Sequence, residues 1–206
     1  MGRNSSAKGS PVSSLRDWFW VKFSGGSSNY RLSYIADISL ATFFLAWETC
    51  VWHSPVQNVV LGRIFGFLVF TLSEYLLHRW AYHHFRGFVK DIHDLHHSEP
   101  LGLVATPWFL TAFIALGLWC FFIAVPRHMI FSAVYAGWQA GTIWYGIVHH
   151  SHHHWKAKNW WIRKVKVHHL IHHQFPEYNF GISSRFWDSA FGTRYQRLGS
   201  QTQFED

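Results

Sequence analysis

Two cysteines among 206 residues, Cys50 and Cys120, leave no room for a disulfide framework or a thiolate metal site. Both fall inside apolar runs and read as buried small hydrophobes. Charge is scarce as well, at 14% of the chain, and its lysines and arginines form no long run. The net charge of +7 therefore points to anionic lipid headgroups, and no nucleic-acid partner is expected. No His-Glu-x-x-His stretch is present, which excludes the zinc-protease arrangement. Glu-x-x-His is missing too, which excludes the carboxylate-rich soluble di-iron bundle. No apolar core precedes residue 33, so no cleavable signal peptide is expected.

Long apolar runs and aromatics are abundant, with 13 Trp, 19 Phe and 8 Tyr. Four runs, Ile35–Trp52, Val56–Leu77, Leu103–Val125 and Met129–Val148, each approach the ~20 residues a helix needs to cross a bilayer. The last two contain no Asp, Glu, Lys or Arg. His53-Ser54-Pro55 and Pro126-Arg127-His128 are tight connectors, and Thr106-Pro107 suits an N-cap and first-turn proline. The expectation is an all-α integral membrane four-helix bundle, two transmembrane hairpins with a cytoplasmic histidine-rich helical cap. Residues 1–33 are expected as a flexible, partly interfacial segment, 34–195 as the membrane domain and 196–206 as a tail. Basic residues gather before the first run, after the second and after the fourth. Both termini are therefore expected on the cytoplasmic side, of a bacterial inner membrane or the endoplasmic reticulum. Within the runs, Glu48 and Arg63 are expected to pair, or Arg63 to snorkel.

That topology gathers fifteen of the seventeen histidines on one membrane face, leaving only His53 and His128 opposite. They arrive in four stretches: EYLLHRWAYHH, HDLHH, HHSHHH and VHHLIHH. HDLHH and HHLIHH share H-x-x-H-H, which places three imidazoles on one helix face. Imidazole suits Zn, Cu, Fe and Ni, and ten or more histidines suggest two ions. Neutral ligands leave a divalent ion its positive charge, which supports an iron pair able to bind O2. Glu74 lies one helical turn before His78 and is a candidate to orient it.

The ordered set EYLLHRWAYH, HDLHHSEP, YGIVHHSHHH, HHLIHH and NFGISSRFWDSAFGT resembles the fatty acid hydroxylase/sterol desaturase superfamily of integral membrane proteins, over roughly residues 35–195. The resemblance implies a membrane-embedded four-helix scaffold, a cytoplasmic dimetal site and O2-dependent oxidation of a lipid C–H bond. Motif by motif, it implies His78 and His83, then His93, His96 and His97, then His169, His172 and His173 as ligands. The third motif, H-x3-H, has two registers, His149/His153 and His150/His154. The family often carries a tyrosine four residues before the first histidine, and Tyr145 favours His149 and His153. His150, His152 and His154 are then supporting or surface residues, and Asp188 is a candidate to orient a ligand. His78 and His83, five apart, face one site only if the helix bends or ends between them, or if they bind different ions. Asn179, Gly181, Trp187, Phe191 and Gly192 are expected to form a turn and cap.

The implied cofactors are two iron ions, which zinc can replace in a purified form, with O2 as co-substrate. The implied substrate is a membrane lipid, a fatty acyl chain or relative, which is hydroxylated. Desaturation, or carotenoid or sterol hydroxylation, stands as the alternative on the same scaffold. A non-enzymatic membrane metal-binding protein is the reading from another class. No haem domain or flavin fingerprint is visible, so a separate electron donor is expected, cytochrome b5-like or ferredoxin-like with its reductase.

Overall fold

A computed structural model describes residues 15–51, 55–124 and 130–196. The start of the N-terminal tail, His53, the Pro126–His128 connector and the C-terminal tail from 197 lie outside the described residues. Within them the chain is all-helical, with no strand. In order come α1 (Leu15–Ser24), α2 (Ser27–Cys50) and α3 (Val56–Leu76), which runs on into a π-helical segment, Leu77–Tyr82. Then follow α4 (Phe88–Ser98), α5 (Trp108–Ala124), α6 (Ile130–His154), α7 (Trp160–Gln174) and the short α8 (Phe186–Ala190). The residues expected as an interfacial piece form α1, and α2 runs unbroken across position 33.

α3 and α6 form the central pair, with α2 against α6 and α5 against α2. Their closeness depends on glycine. A Cβ on Gly66 would overlap the Val134 carbonyl oxygen, and one on Gly137 would overlap that of Arg63. Small residues let two helix backbones touch, the packing used where no water drives helices together. On the α2–α5–α6 side the core is aromatic. Phe44, fully buried, lies 5.4 Å from the Trp119 ring and 5.0 Å edge-on from Tyr135.

α5 starts later than the apolar run that feeds it, because Gly102–Pro107 is non-helical. The residue before a proline is biased away from the helical region. The first free N–H of α5, on Trp108, is received at 3.0 Å by Asn29 Oδ1 of α2, so Asn29 and not Thr106 provides the cap. Asn29 Nδ2 donates to the Ala105 carbonyl at 2.9 Å, tying the start of α2 to the start of α5.

α3 with its π-helical extension, Val56–Tyr82, is the one described helix both long and apolar enough to cross a membrane; Trp108–Phe121 is apolar but shorter. Large apolar side chains point outward on several helices, including Ile35, Phe65 and Phe113. Cys50 and Cys120, expected to be buried, are exposed among them, because an apolar exterior accepts a thiol as readily as a core does. Glu48 and Arg63 do not pair: both Glu48 carboxylate oxygens are buried without a hydrogen-bond partner.

The close approach of Gly137 to the Arg63 backbone predicts that Gly137→Ala costs about 1–3 kcal/mol by overpacking. Gly117→Ala in α5, whose added carbon meets nothing within 4 Å, should leave stability unchanged or slightly raised. Thermal unfolding of the two variants in one detergent checks the contrast.

Candidate metal centre

Four helical pieces bring their histidines to one end of the bundle, in two adjacent groups. The first is His78, His83, His93, His97 and His172; the second is His96, His149, His153 and His169. Within each group one ligand nitrogen per residue lies within 4.8 Å of every other. Two helices divide their triplets between the groups. α4 sends His93 and His97 to the first and His96 to the second, while α7 sends His172 to the first and His169 to the second. His173 sits beside both, its Nε2 3.1 Å from that of His169 and its ring stacked 4.3 Å from His97.

The π-helical segment answers the spacing problem at His78 and His83. Residues five apart lie about 140° apart on a straight α-helix. A π-helix bonds i to i+5 and winds wider. Here the two Nε2 atoms come within 3.3 Å, and His83 Nε2 lies 3.0 Å from those of His93 and His172.

A loop after α7 orients the rings. The Tyr178 carbonyl accepts from His172 Nδ1 at 2.7 Å, and the Phe180 carbonyl accepts from His78 Nδ1. Ile182 O accepts from the buried His152 at 3.0 Å. A carbonyl has no proton to give, so Nδ1 of His78 and His172 carries the hydrogen and Nε2 presents a lone pair to the group. Two buried carboxylates hold that loop. Asp188 accepts the N–H groups of Phe180 at 2.8 Å and Gly181 at 2.7 Å, and the Thr193 hydroxyl at 2.8 Å. Glu74 accepts from Ile182 N at 2.7 Å, Ser183 N at 2.9 Å and the Ser183 hydroxyl. Neither carboxylate bonds one of the ten histidines. Glu74 acts on the loop that holds His78, and Asp188 meets His168 Nε2 at 2.8 Å, a residue the motif reading passed over. The tail motif builds the turn: Asn179 sits at φ 59 and Gly192 at φ 70. At Gly181 a side chain would overlap Ser184 O and crowd the Asp188 carboxylate.

Of the two registers, His149 and His153 enter the second group. His150 and His154 stack on each other at 4.4 Å outside both groups, with His150 Nδ1 2.8 Å from the Tyr30 hydroxyl. Beneath the histidines a cavity of about 230 Å³ runs into the bundle, reached by His78, His93, His96 and His149 and walled by Phe70, Trp138, Tyr145 and Ile92. Tyr30, Tyr34 and Asp37 of α2 also line it, and none was singled out from sequence. The available signal was Asp37, a charge near the start of an apolar run.

Burial disfavours charge on these rings, and neighbouring imidazoles add to it at His83, His96, His97 and His172. His83 is pushed down to about 3, His96 and His97 to about 2, and His172 and His173 to about 4. Neutral imidazole is the form that binds metal.

An all-helical scaffold that folds distant stretches of chain together around clustered neutral imidazoles defines a histidine-rich protein with the donor set to hold metal. The fatty acid hydroxylase family model matches residues 63–193, well over half of the sequence, and the chain belongs to that family. It is 32% identical over 139 residues to the dihydroceramide fatty acyl 2-hydroxylase FAH2 of Arabidopsis thaliana, covering 63% of this chain and 58% of the relative. It is 30% identical over 181 residues to the ceramide very long chain fatty acid hydroxylase scs7 of Schizosaccharomyces pombe, covering 72% and 49%. The chain thus spans about half to three-fifths of the length of these relatives. A solved structure of full-length scs7p, with only its hydroxylase domain visible, shares the fold at a TM-score of 0.69 and 24% identity, over 81% of this chain and 67% of that one.

The lowered values carry a pH consequence. Below about pH 6.5 the unfolded chain protonates these histidines while the fold keeps them neutral. Their contribution to stability is therefore complete above about 6.5 and falls away as the pH drops toward the folded values. Metal-stripped protein should melt several degrees lower at pH 5.5 than at pH 7.5, read by thermal unfolding in detergent.

Proposed function

We propose that the chain hydroxylates a lipid C–H bond with O2 at a pair of iron ions held by its histidines, using electrons from a separate donor. The observation that carries the reading is the adjacency of two nitrogen-lined hollows to a largely apolar cavity. The overall reaction is R–H + O2 + 2 electrons + 2 protons giving R–OH + water.

The residues fit a metal on their own chemistry. In the first group His78 and His172 spend their protons on carbonyls, and His83 Nε2 approaches both. Its single proton satisfies one lone pair at most, so a cation between the nitrogens resolves the crowding. The 3.0–3.3 Å approaches among the Nε2 atoms of His78, His83, His93 and His172 are those of donors facing one point, and imidazole donors suit iron among the divalent transition ions. We assign His78, His83, His93, His97 and His172 to one ion, and His96, His149, His153 and His169, joined by His173, to the other.

When bound, the irons supply the oxidising power that removes hydrogen from an unactivated carbon. The protein's own residues position and exclude. The carbonyls of Tyr178 and Phe180 keep the lone pairs of His172 and His78 aimed inward. Phe70, Trp138 and Ile92 give an acyl chain an apolar bed and keep water from the reacting carbon. The relatives named above act on fatty acyl chains of ceramides, and we assign the same class of chain here, oxidised next to its carbonyl. Exposed apolar side chains on α2, α3 and α5 support a lipid-facing bundle; we propose four spans, with the histidine end and both termini in the cytoplasm on the strength of the basic residues that flank the apolar runs.

Purified protein should contain about two irons per chain, and His83→Ala and His153→Ala should each lose about one. Lipids of cells expressing the wild type should gain 16 mass units on acyl chains, and cells expressing either variant should not. Retention of full metal by both variants with unchanged lipids would remove the assignment, while a loss of two mass units would identify a desaturase.

A further inference from the structure

The cavity under the histidines is not uniformly apolar. One face of α2 presents Tyr30, Tyr34 and Asp37 to it, at the i, i+4, i+7 spacing of a single helical stripe. Two of the three are engaged: the hydroxyls of Tyr30 and Tyr34 lie 3.3 Å apart, and Tyr30 reaches His150 at 2.8 Å. Asp37 makes no hydrogen bond or ion pair within the described residues. No Lys or Arg stands among the described residues lining the cavity. A carboxylate within a membrane span and facing the protein interior is costly unless something that enters the cavity satisfies it.

An ionised carboxylate only accepts hydrogen bonds, and it repels another carboxylate where no cation intervenes. The groups that satisfy Asp37 are therefore O–H and N–H donors on a molecule that brings no negative charge to it. Distance along the helix limits where they sit. Tyr30 is level with the histidine-bearing end of α6 through His150, and Asp37 is seven residues further, about 10 Å of helical rise. The donor lies within about that distance of the carbon presented to the imidazoles.

We infer that Asp37 is a specificity-determining residue: its carboxylate accepts a hydrogen bond from a hydroxyl group in the polar head of the lipid, so the site takes a hydroxyl-bearing acyl lipid and turns away a free fatty-acid carboxylate. The inference rests on the reading of this cavity as the lipid site. It assigns to one side chain the discrimination between an acyl chain in amide linkage and the same chain as a free acid. The apolar wall, by contrast, treats the two chains alike.

The test measures binding, which needs no turnover. Metal-loaded full-length protein in nanodiscs is titrated with three probes of one chain length: N-palmitoyl-sphinganine, its di-O-methyl ether and palmitate. Wild type should hold the first at least about tenfold more tightly than either of the others, the size expected of a hydrogen bond to a charged group. Asp37→Ala should lose about tenfold or more on N-palmitoyl-sphinganine and change little on its ether. Asp37→Asn keeps the shape and an acceptor, so it should keep part of the lost affinity and bind palmitate several-fold better than wild type does. Iron content equal to wild type certifies the fold of both variants. Equal binding of palmitate and N-palmitoyl-sphinganine by wild type, or an unchanged preference in both variants, overturns the role of Asp37 and leaves the dimetal reading standing. Failure of wild type to bind any of the three removes the lipid cavity itself, and this inference with it.

Discussion

A neutral imidazole has one proton and one lone pair, and a metal centre made of imidazoles works only if the lone pairs all point inward. In this chain that condition is met for His78 and His172 from outside their group. Tyr178 and Phe180 set their carbonyls against Nδ1 of His172 and His78. The loop carrying those carbonyls would not hold its shape alone, since its own N–H groups need acceptors in a buried place. Asp188 and Glu74 supply them, one from α8 and one from α3. Two buried carboxylates thus govern the ring orientation of histidines they never touch.

The same logic explains why the scaffold is tight where it is. A cluster fed by α3, α4, α6 and α7 tolerates little relative sliding of those helices. The close backbone approach at Gly66 and Gly137 locks α3 to α6, the pair whose C-terminal ends lead into His78 and carry His149 with His153, side by side at one end of the bundle. The π-helical segment then adjusts the last turn of α3, so that His78 and His83 meet without moving the helix. π-bulges are enriched at functional sites because they change the direction of one side chain at small cost to the rest.

Much of the site was legible because its spacing is local. H-x-x-H-H states that three rings share a helix face, whatever the helix packs against. The choice of His149/His153 over His150/His154 was a family expectation, and the two pairs are equivalent in helical geometry. What separates them is the neighbour each face meets: α4 and α7 for one, and Tyr30 of α2 for the other. Glu74 shows the opposite case. Its position one turn before His78 suggested a direct bond, but the side chain turns to Ile182 and Ser183, more than a hundred residues on. Asp37 shows what a cavity adds: a single charge near the start of an apolar run carries no signal of its own until the hollow beside it is seen.

By itself the sequence determined the helical class, the apolar runs and the placing of histidine clusters beside them, since each follows from periodicity and composition over a few turns. Tertiary structure alone decided how the histidines divide into two groups and how a five-residue spacing closes on one of them. It also decided which carbonyls orient the rings and that Asn29 caps α5 from another helix. These are contacts between residues distant along the chain, and short-range pattern does not encode the partner across a packed interface.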